Sequence, residues 1–562
     1  MYYLSWLVVS LVQRQVRRQR YWYLVESGRV NGRPRIVWQK YLGTPQRIRE
    51  LLERAQSGGG PLEVDVTEFG PAPLLAVARE LDLAGTIDRF VPKRDQGYSV
   101  GEHLLIAVLN RCLAPCSKLQ IRPWFDQTIL PRLLGKKEGL SSPDYWNQMD
   151  RVGETDVEAI QLEVARRAVR RFDLGLDFLF YDPTNFSTYI EEHEDRGNEI
   201  PERGVAKDHR TDLRLIGLAL LASRDHGVPL LHRTYPGNAH DSPLFAEEIP
   251  RIQHWVEALG RRPSDLTLVF DKGNNSERNL DRLEAAGFHY VGSLRPSLNS
   301  DLLHLPVSKF RPCYGEGPTA TLSYRTKRST YGREVTVVMT YNRSREVYLR
   351  ARQEDLLQRA EERLLAWVTP LREGQKKRAQ WKRTLASCRN QVKVKLGPAE
   401  PLFRWKVIHQ GRGPFDVRWE RNEVAIRARA LGFGRTLHFT DRTEWDDEAI
   451  VRAYRAKSMI EEQFRRLKDT SYLSDTPQYH WTDSKIRVHQ LICFLALQLM
   501  AILQRQLWRT GHPVTIDELA HGLQRWHQVV LLNPGGKVER RFRPMSPVQE
   551  TLFKELGLAI YA

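Results

Sequence analysis

A tyrosine, two lysines and a glutamate recur at helical spacing between Ala453 and Lys468, as Tyr454-x2-Lys457-x3-Glu461-x6-Lys468. On one continuous helix, at about 100° per residue, Tyr454, Lys457, Glu461, Phe464 and Lys468 fall within an arc of roughly 80°. Ala453, Ile460 and Leu467 form an apolar edge beside them. One carboxylate then stands on a cationic, half-buried face. Taken alone, the stretch reads as an amphipathic core helix with solvated charges. Two upstream acids change that reading, because each closes an apolar run of strand type: Asp182 after Phe178 to Tyr181, and Asp271 after Leu266 to Phe270. Acids at the ends of two adjacent strands can converge, and a helix crossing nearby can add a third. Direct attack of water on a phosphodiester needs two divalent cations about 3.5–4 Å apart, one at the nucleophile and one at the leaving oxygen. Two or three carboxylates suffice to hold a pair of Mg²⁺ ions bridged by substrate phosphate. Each acid has a bland alternative: a turn at Asp182-Pro183, a turn between Asp271 and Gly273, and a pair between Glu461 and Lys457 or Arg465.

The pattern resembles the DDE transposases of bacterial insertion sequences, in particular the insertion-sequence-four group with its Y-x2-R-x3-E-x6-K (YREK) signature. Asp182-Pro183-Thr184-Asn185-Phe186, Lys207-Asp208-His209-Arg210, Pro236-Gly237-Asn238 and Asp271-Lys272-Gly273 match as well, so the likeness covers roughly 160 to 500. It implies that Asp182, Asp271 and Glu461 are catalytic and hold two Mg²⁺ ions, which Mn²⁺ can replace. It also implies that Tyr454, Lys457 and Lys468 contact DNA near the scissile bond. The partners implied are double-stranded DNA, both element ends and target, and a second copy of the chain in a synaptic complex. One departure stands out: the arginine of the signature is Lys457, which lacks the bidentate guanidinium fork. The resemblance implies a mixed α+β (α/β) fold with a ribonuclease-H-like catalytic core interrupted by a β-rich insertion domain. An N-terminal β-hairpin and a helical domain precede that core.

Composition agrees with an anionic polymer as partner. Across 562 residues, 86 Lys+Arg against 68 Asp+Glu give a formal charge of +18 and a pI near 9.7, and a basic balance of this size favours nucleic acid or a membrane surface. Five cysteines make no disulfide framework, and Cys112-x3-Cys116 has no partner pair at finger spacing, so all five read as reduced thiols in a cytosolic protein. The resemblance places that cytoplasm in a bacterium, at the nucleoid. The apolar opening, Met1 to Val12, lacks a charged n-region and a small-residue cleavage site and is too short to span a bilayer; a start codon assigned too early accounts for it. The later run Leu491 to Leu503, interrupted by Gln498, reads as a buried helix.

The elements that must position these residues follow in order. Residues 1–60 form a basic arm with a β-hairpin turning at Asn31-Gly32, and Ser57 to Pro61 is a breaker. Residues 61–172 are helical, over Pro73 to Leu81, Val100 to Leu113, Lys118 to Gln127, Ser142 to Val152 and Val157 to Phe172; the resemblance makes this region the binder of element ends. Residues 173–296 are the first part of the core: strand 177–182, strands Leu213 to Ser223 and Val228 to Thr234, a helix from Leu244 to Leu259, strand 266–271, a helix from Ser276 to Ala286 and strand Phe288 to Leu294. Residues 297–445 form the insertion, with a hairpin (Thr319 to Tyr324, Glu334 to Tyr341) and a charged helix from Ser344 to Leu371 broken at Pro370. Residues 446–562 complete the core with C-terminal helices. In the insertion, Trp381 lies among Lys376, Lys377, Arg378, Lys382 and Arg383, where a ring could stack on an unpaired base; Trp405 and Trp419 read rather as filling a small core.

Other residues compete. Asp208 lies in a surface ion cluster, Asp241-Ser242-Pro243 is a helix start, and Asp212 adds nothing to the pattern. His489 opens an apolar helix and reads as structural. The leading reading is a transposase that cuts and joins its own ends. One rival is a catalytically inactive, transposase-derived DNA-binding protein. The other, a haloacid-dehalogenase-type phosphatase, fails because Thr184 stands where that chemistry needs a second Asp.

Overall fold

The apolar run after Glu461 forms a 27-residue helix, Asp483–Arg509, buried along most of its length. The computed structural model describes residues 8–16, 19–30, 33–56, 63–92, 97–135, 137–189, 198–204, 212–372, 385–409, 415–475, 478, 480, 482–533 and 538–562. The chain divides into two units: Met1–Leu268, Ala285–Phe288 and Ala456–Ala562 form the first, and Val269–Glu284 with His289–Arg455 the second.

The first unit is built around that long helix. By length and composition the helix could cross a membrane, yet 94% of its apolar window is buried inside the protein. Helices Pro71–Glu80, Val100–Leu113, Ser142–Met149 and Glu154–Phe172 pack against it. Each fully buried Leu or Ile there stabilises the unit by about 1.5–3 kcal/mol, so a charge at Leu497, which is wholly buried, would break the core. Gln498 interrupts the apolar run for a reason: its amide donates to the Pro229 carbonyl at 2.8 Å. Near its C-terminal end, Arg505 donates to the carbonyls of Phe172 and Asp173 at 2.7 and 3.0 Å. The five helices expected between 70 and 172 all form, and Leu83–Phe90 and Leu130–Leu134 are added. A capping box starts Val100–Leu113, with Ser99 Oγ accepting the Glu102 N–H and the Glu102 carboxylate accepting the Ser99 N–H.

Strands complete the first unit. Phe178–Thr188, Arg214–Ser223 and Pro229–Pro236 form an antiparallel meander, and the three-residue strand Thr267–Val269 lies beside the first of them. The first strand does not end at Asp182, as its apolar run suggests, but continues to Thr188 with Asp182 opposite Leu220. Pro183 lies within this strand, opposite Ala219. The N-terminal hairpin pairs Val30 with Arg33, while the Asn31-Gly32 turn lies outside the described residues. From Val8 onward the apolar opening is a strand paired along Gln19–Val30. The C-terminal stretch is not helical throughout: His527–Leu532 pairs with Val538–Phe542 and with Glu63–Glu68. Such short strands, joined from opposite ends of the sequence, leave no local periodicity to read.

The second unit carries a sheet in the order Arg311–Tyr314, Thr321–Thr330, Arg333–Asn342, Arg435–Thr440, His289–Ser293. Between its strands lie a 30-residue helix, Arg343–Arg372, a second helix, Leu385–Leu396, and the hairpin Phe403–His409/Phe415–Arg421. The stretch 297–445 is therefore mixed rather than β-rich. The sequence LASCRNQVKVKL mixes helical and alternating spacing, which hid the second helix. The long helix also runs through Pro370 to Arg372, with the proline in its last turn. Leu357, Leu364, Val392, Leu396, Phe403 and Val417 form a small core. Trp405 and Trp419, directly opposed across the hairpin, pack against it, and Trp405 Nε1 donates to Glu400 at 3.1 Å.

Candidate active site

Lys457 brings two of the three candidate acids together. Its Nζ lies 3.3 Å from Asp182 Oδ1 and 3.0 Å from Glu461 Oε1. The three side chains differ in access: Lys457 is 5% exposed, Asp182 14% and Glu461 62%. A buried ammonium between two carboxylates offsets its own desolvation, while the outer carboxylate keeps oxygens turned to solvent.

The helix expected over 453–468 is two helices. Asp447–Arg455 ends in the second unit, and Ser458–Leu467 begins in the first. Between them, Met459 and Ile460 donate to the carbonyls of Ala456 and Lys457, a tightened i→i−3 turn. No glycine or proline marks this joint, so periodicity reads straight through it. The single helix expected there is therefore corrected to two. Only Lys457, at the joint, and the residues after it share one short helix. Its packing explains where it sits: Ile460, Phe464 and Leu467 are buried, and Gln463 donates to the Gly227 carbonyl at 3.1 Å. Gly227 has φ +64°, and an added Cβ would stand 2.9 Å from Met459 Cβ, so the turn before Pro229–Pro236 needs glycine both for its backbone and for the helix's close approach.

Lys468 returns to the same strand as Asp182. Its Nζ lies 3.4 Å from Thr184 Oγ1 and 5.4 Å from the centre of the Phe186 ring. Residues 182, 184 and 186 alternate onto one face of a strand, so Lys457 and Lys468 dock on one face of Phe178–Thr188. The Thr184 carbonyl accepts the Tyr235 hydroxyl at 3.0 Å, and burial raises that phenol's pKa far above its usual value, with Asp182 adding to the shift.

Asp271 lies in the second unit, just past Thr267–Val269. Its Oδ1 accepts the Lys272 N–H at 2.8 Å and the Tyr454 hydroxyl at 3.1 Å. That hydroxyl also hydrogen-bonds with Ser293 Oγ at 2.8 Å, and the ring lies 4.6 Å from His438. Tyr454 is thus a partner of the second acid, and Lys457 of the first and third. Sequence reasoning missed Ser293, for which no motif signal exists, and did not single out Thr184 as a partner of Lys468, although it lies in the matched segment Asp182 to Phe186. Trp381 and Asp208 lie outside the described residues. Asp241 opens helix Asp241–Ala258, as its Asp-Ser-Pro start predicts. His489 is fully buried in the long helix.

Asp182 and Glu461 are thus joined by a buried ammonium, and Asp271 is held by a tyrosine hydroxyl. The chain belongs to the family described as the transposase DDE domain, which matches residues 179–498, more than half of the sequence. Among solved structures, a piggyBac transposase synaptic complex with hairpin DNA, determined by cryo-electron microscopy, aligns with a TM-score of 0.37 and 10% identity over 80% of this chain and 79% of that one. The sequence matches no curated protein.

Proposed function

We propose that the protein is a DNA transposase that binds the inverted-repeat ends of its own insertion sequence, cleaves them by metal-dependent hydrolysis and joins the 3′-hydroxyl ends to target DNA. The observation that carries this reading is the Lys457 ammonium held between Asp182 and Glu461. Acids far apart in the chain converge on one point of positive charge, as a site for phosphoryl chemistry requires. The donors are carboxylate oxygens, the type hard divalent cations take, and Glu461 is open enough to reach one. Asp182, Asp271 and Glu461 would hold two Mg²⁺ ions, with Mn²⁺ able to substitute. Bound there, the ions would supply Lewis acidity to the attacking water and the leaving oxygen.

The chain's own residues do the rest. Lys457 neutralises the acids before cations arrive and afterwards turns to backbone phosphate. Lys468, fixed on Thr184 and Phe186, holds phosphate beside the strand of Asp182. Tyr454 orients Asp271. The order of three meandering strands, a helix and the strand before Asp271 supports a ribonuclease-H-like core, with 297–445 as its insertion and the YREK group as its relatives. The arm and helices before residue 172 would read the element ends, and Trp381 would stack on a base unpaired at the tip. Two ends cut in concert imply a homodimer, acting at the nucleoid of a bacterial cytoplasm.

The test is a supercoiled plasmid carrying the element's ends. Nicking should require Mg²⁺ or Mn²⁺, stop with chelator and resume when the ion is restored. Tight binding of end DNA without cutting in either ion would favour the inactive DNA-binding descendant.

A further inference from the structure

We propose that Asp475, His489 and Cys493 form a structural zinc site in the first unit, separate from the DDE acids. One ligand atom from each of the three lies within 4.8 Å of the others, and all three side chains are buried. His489 and Cys493 are four residues apart on the long helix, so both project from one face. Asp475 comes from the segment that follows helix Ser458–Leu467, where its N–H donates to the Leu467 carbonyl at 2.8 Å.

The separations fit the ligands of one cation. His489 Nε2 lies 3.5 Å from Asp475 Oδ1 and 3.5 Å from Cys493 Sγ. The first is too long for an N–H···O bond. Both equal the spacing of two ligands in a tetrahedron with bonds of about 2.0–2.3 Å. The Asp475 main-chain carbonyl, 3.1 Å from the same Nε2, offers a further oxygen. Gln490 donates to Asp475 Oδ1 at 2.8 Å, the kind of outer contact that orients a ligating carboxylate. Asp475 Oδ2 is buried with no hydrogen-bond partner among the described residues, and a buried carboxylate oxygen left so is rare.

The donor set, one nitrogen, one sulfur and one carboxylate oxygen, is that of zinc rather than of Mg²⁺. Binding breaks the Cys493 S–H bond and forms a Zn–S bond, with the proton released to solvent. Thiolate and carboxylate together balance the ion's two positive charges. The nearby guanidinium of Arg111, which donates to the Ser474 carbonyl at 2.9 Å, is then no obstacle. The site would clamp the segment after the Glu461 helix onto the central helix.

The full chain, purified under reducing conditions without added metal, should carry zinc in about one-to-one ratio with protein. Exchanged to Co²⁺, it should show sulfur-to-cobalt charge-transfer absorption in the near ultraviolet. Cys493→Ser should remove that band, and Cys116→Ser and Cys112→Ser should keep it. If Cys493→Ser fails to fold, the wild type still decides: folded by circular dichroism but with neither zinc nor a cobalt–thiolate band, it would overturn the proposal. So would a band that survives Cys493→Ser or disappears with Cys112→Ser.

Discussion

The ammonium of Lys457 stands 3.3 Å from the carboxylate of Asp182, with almost no access to solvent. Its charge is engaged by carboxylates, Asp182 and also Glu461, before any phosphate arrives. Divalent cations that neutralise those acids would release it toward DNA. Lys457→Ala should therefore flatten the salt dependence of end binding by about one unit of slope when Mg²⁺ is present. Without Mg²⁺ the slope should not change. A slope flattened equally in both conditions would mean that the lysine meets phosphate regardless of the acids.

The same substitution has a stability cost. The pair is buried on one side and open at Glu461, between an exposed pair at about 0.5 kcal/mol and a fully buried one at about 3–5 kcal/mol. Lys457→Ala should lose about 1–3 kcal/mol by urea unfolding, and Lys457→Arg less than half of that. Equal losses would show that shape rather than charge is limiting.

Tyr454→Phe removes a hydroxyl that donates to Asp271 and keeps the ring against His438. A hydrogen bond to a charged acceptor contributes about 1.5–3 kcal/mol. Cleavage rate should fall about 10- to 100-fold while end binding stays within about twofold. A variant that binds poorly but cuts normally once bound would assign Tyr454 to DNA contact instead.

Acid should unfold the protein through its buried histidines. Burial, helped by Arg251, holds His232 down to about 3, and burial alone holds His438 down to about 4. Both are neutral in the fold and protonatable near 6.5 once unfolded. Their contribution is thus complete above about pH 6.5 and is lost as pH falls toward those values. His232→Gln should reduce the slope of unfolding free energy between pH 6 and 5 by about 1.4 kcal/mol per unit. An unchanged slope would mean that His232 is protonated in the fold.

Much of this was legible in the residues. Asp182 and Asp271 stand out because each closes an apolar run, Glu461 because it recurs with Tyr454, Lys457 and Lys468 at helical spacing, and Asp483–Arg509 because an apolar run of that length must be buried along most of a helix. The break at Ala456-Lys457 was not legible, since nothing in residue type opposes a continuous helix there; the competing anchors do, with Tyr454 held by Asp271 and Ser293, and Lys457 by Asp182 and Glu461. Nor was the extension of the first acid's strand to Thr188, because Asp-Pro reads locally as a turn and only its pairing with Arg214–Ser223 overrides that. His489 and Cys493 read separately, as a structural histidine and a reduced thiol, and Asp475 joins them only through tertiary packing.

In the proposed function, Asp182, Asp271 and Glu461 act as one cation-binding unit. The most direct measurement is Mg²⁺-dependent cleavage of end DNA by Asp182→Asn, Asp271→Asn and Glu461→Gln, singly and together, with end binding measured beside it. Each single variant should lose cleavage to the level of the triple variant, because parts of one unit are not additive, while end binding stays largely intact. Near-wild-type cleavage by any one of the three would remove that residue from the proposed site and rule out a three-acid unit.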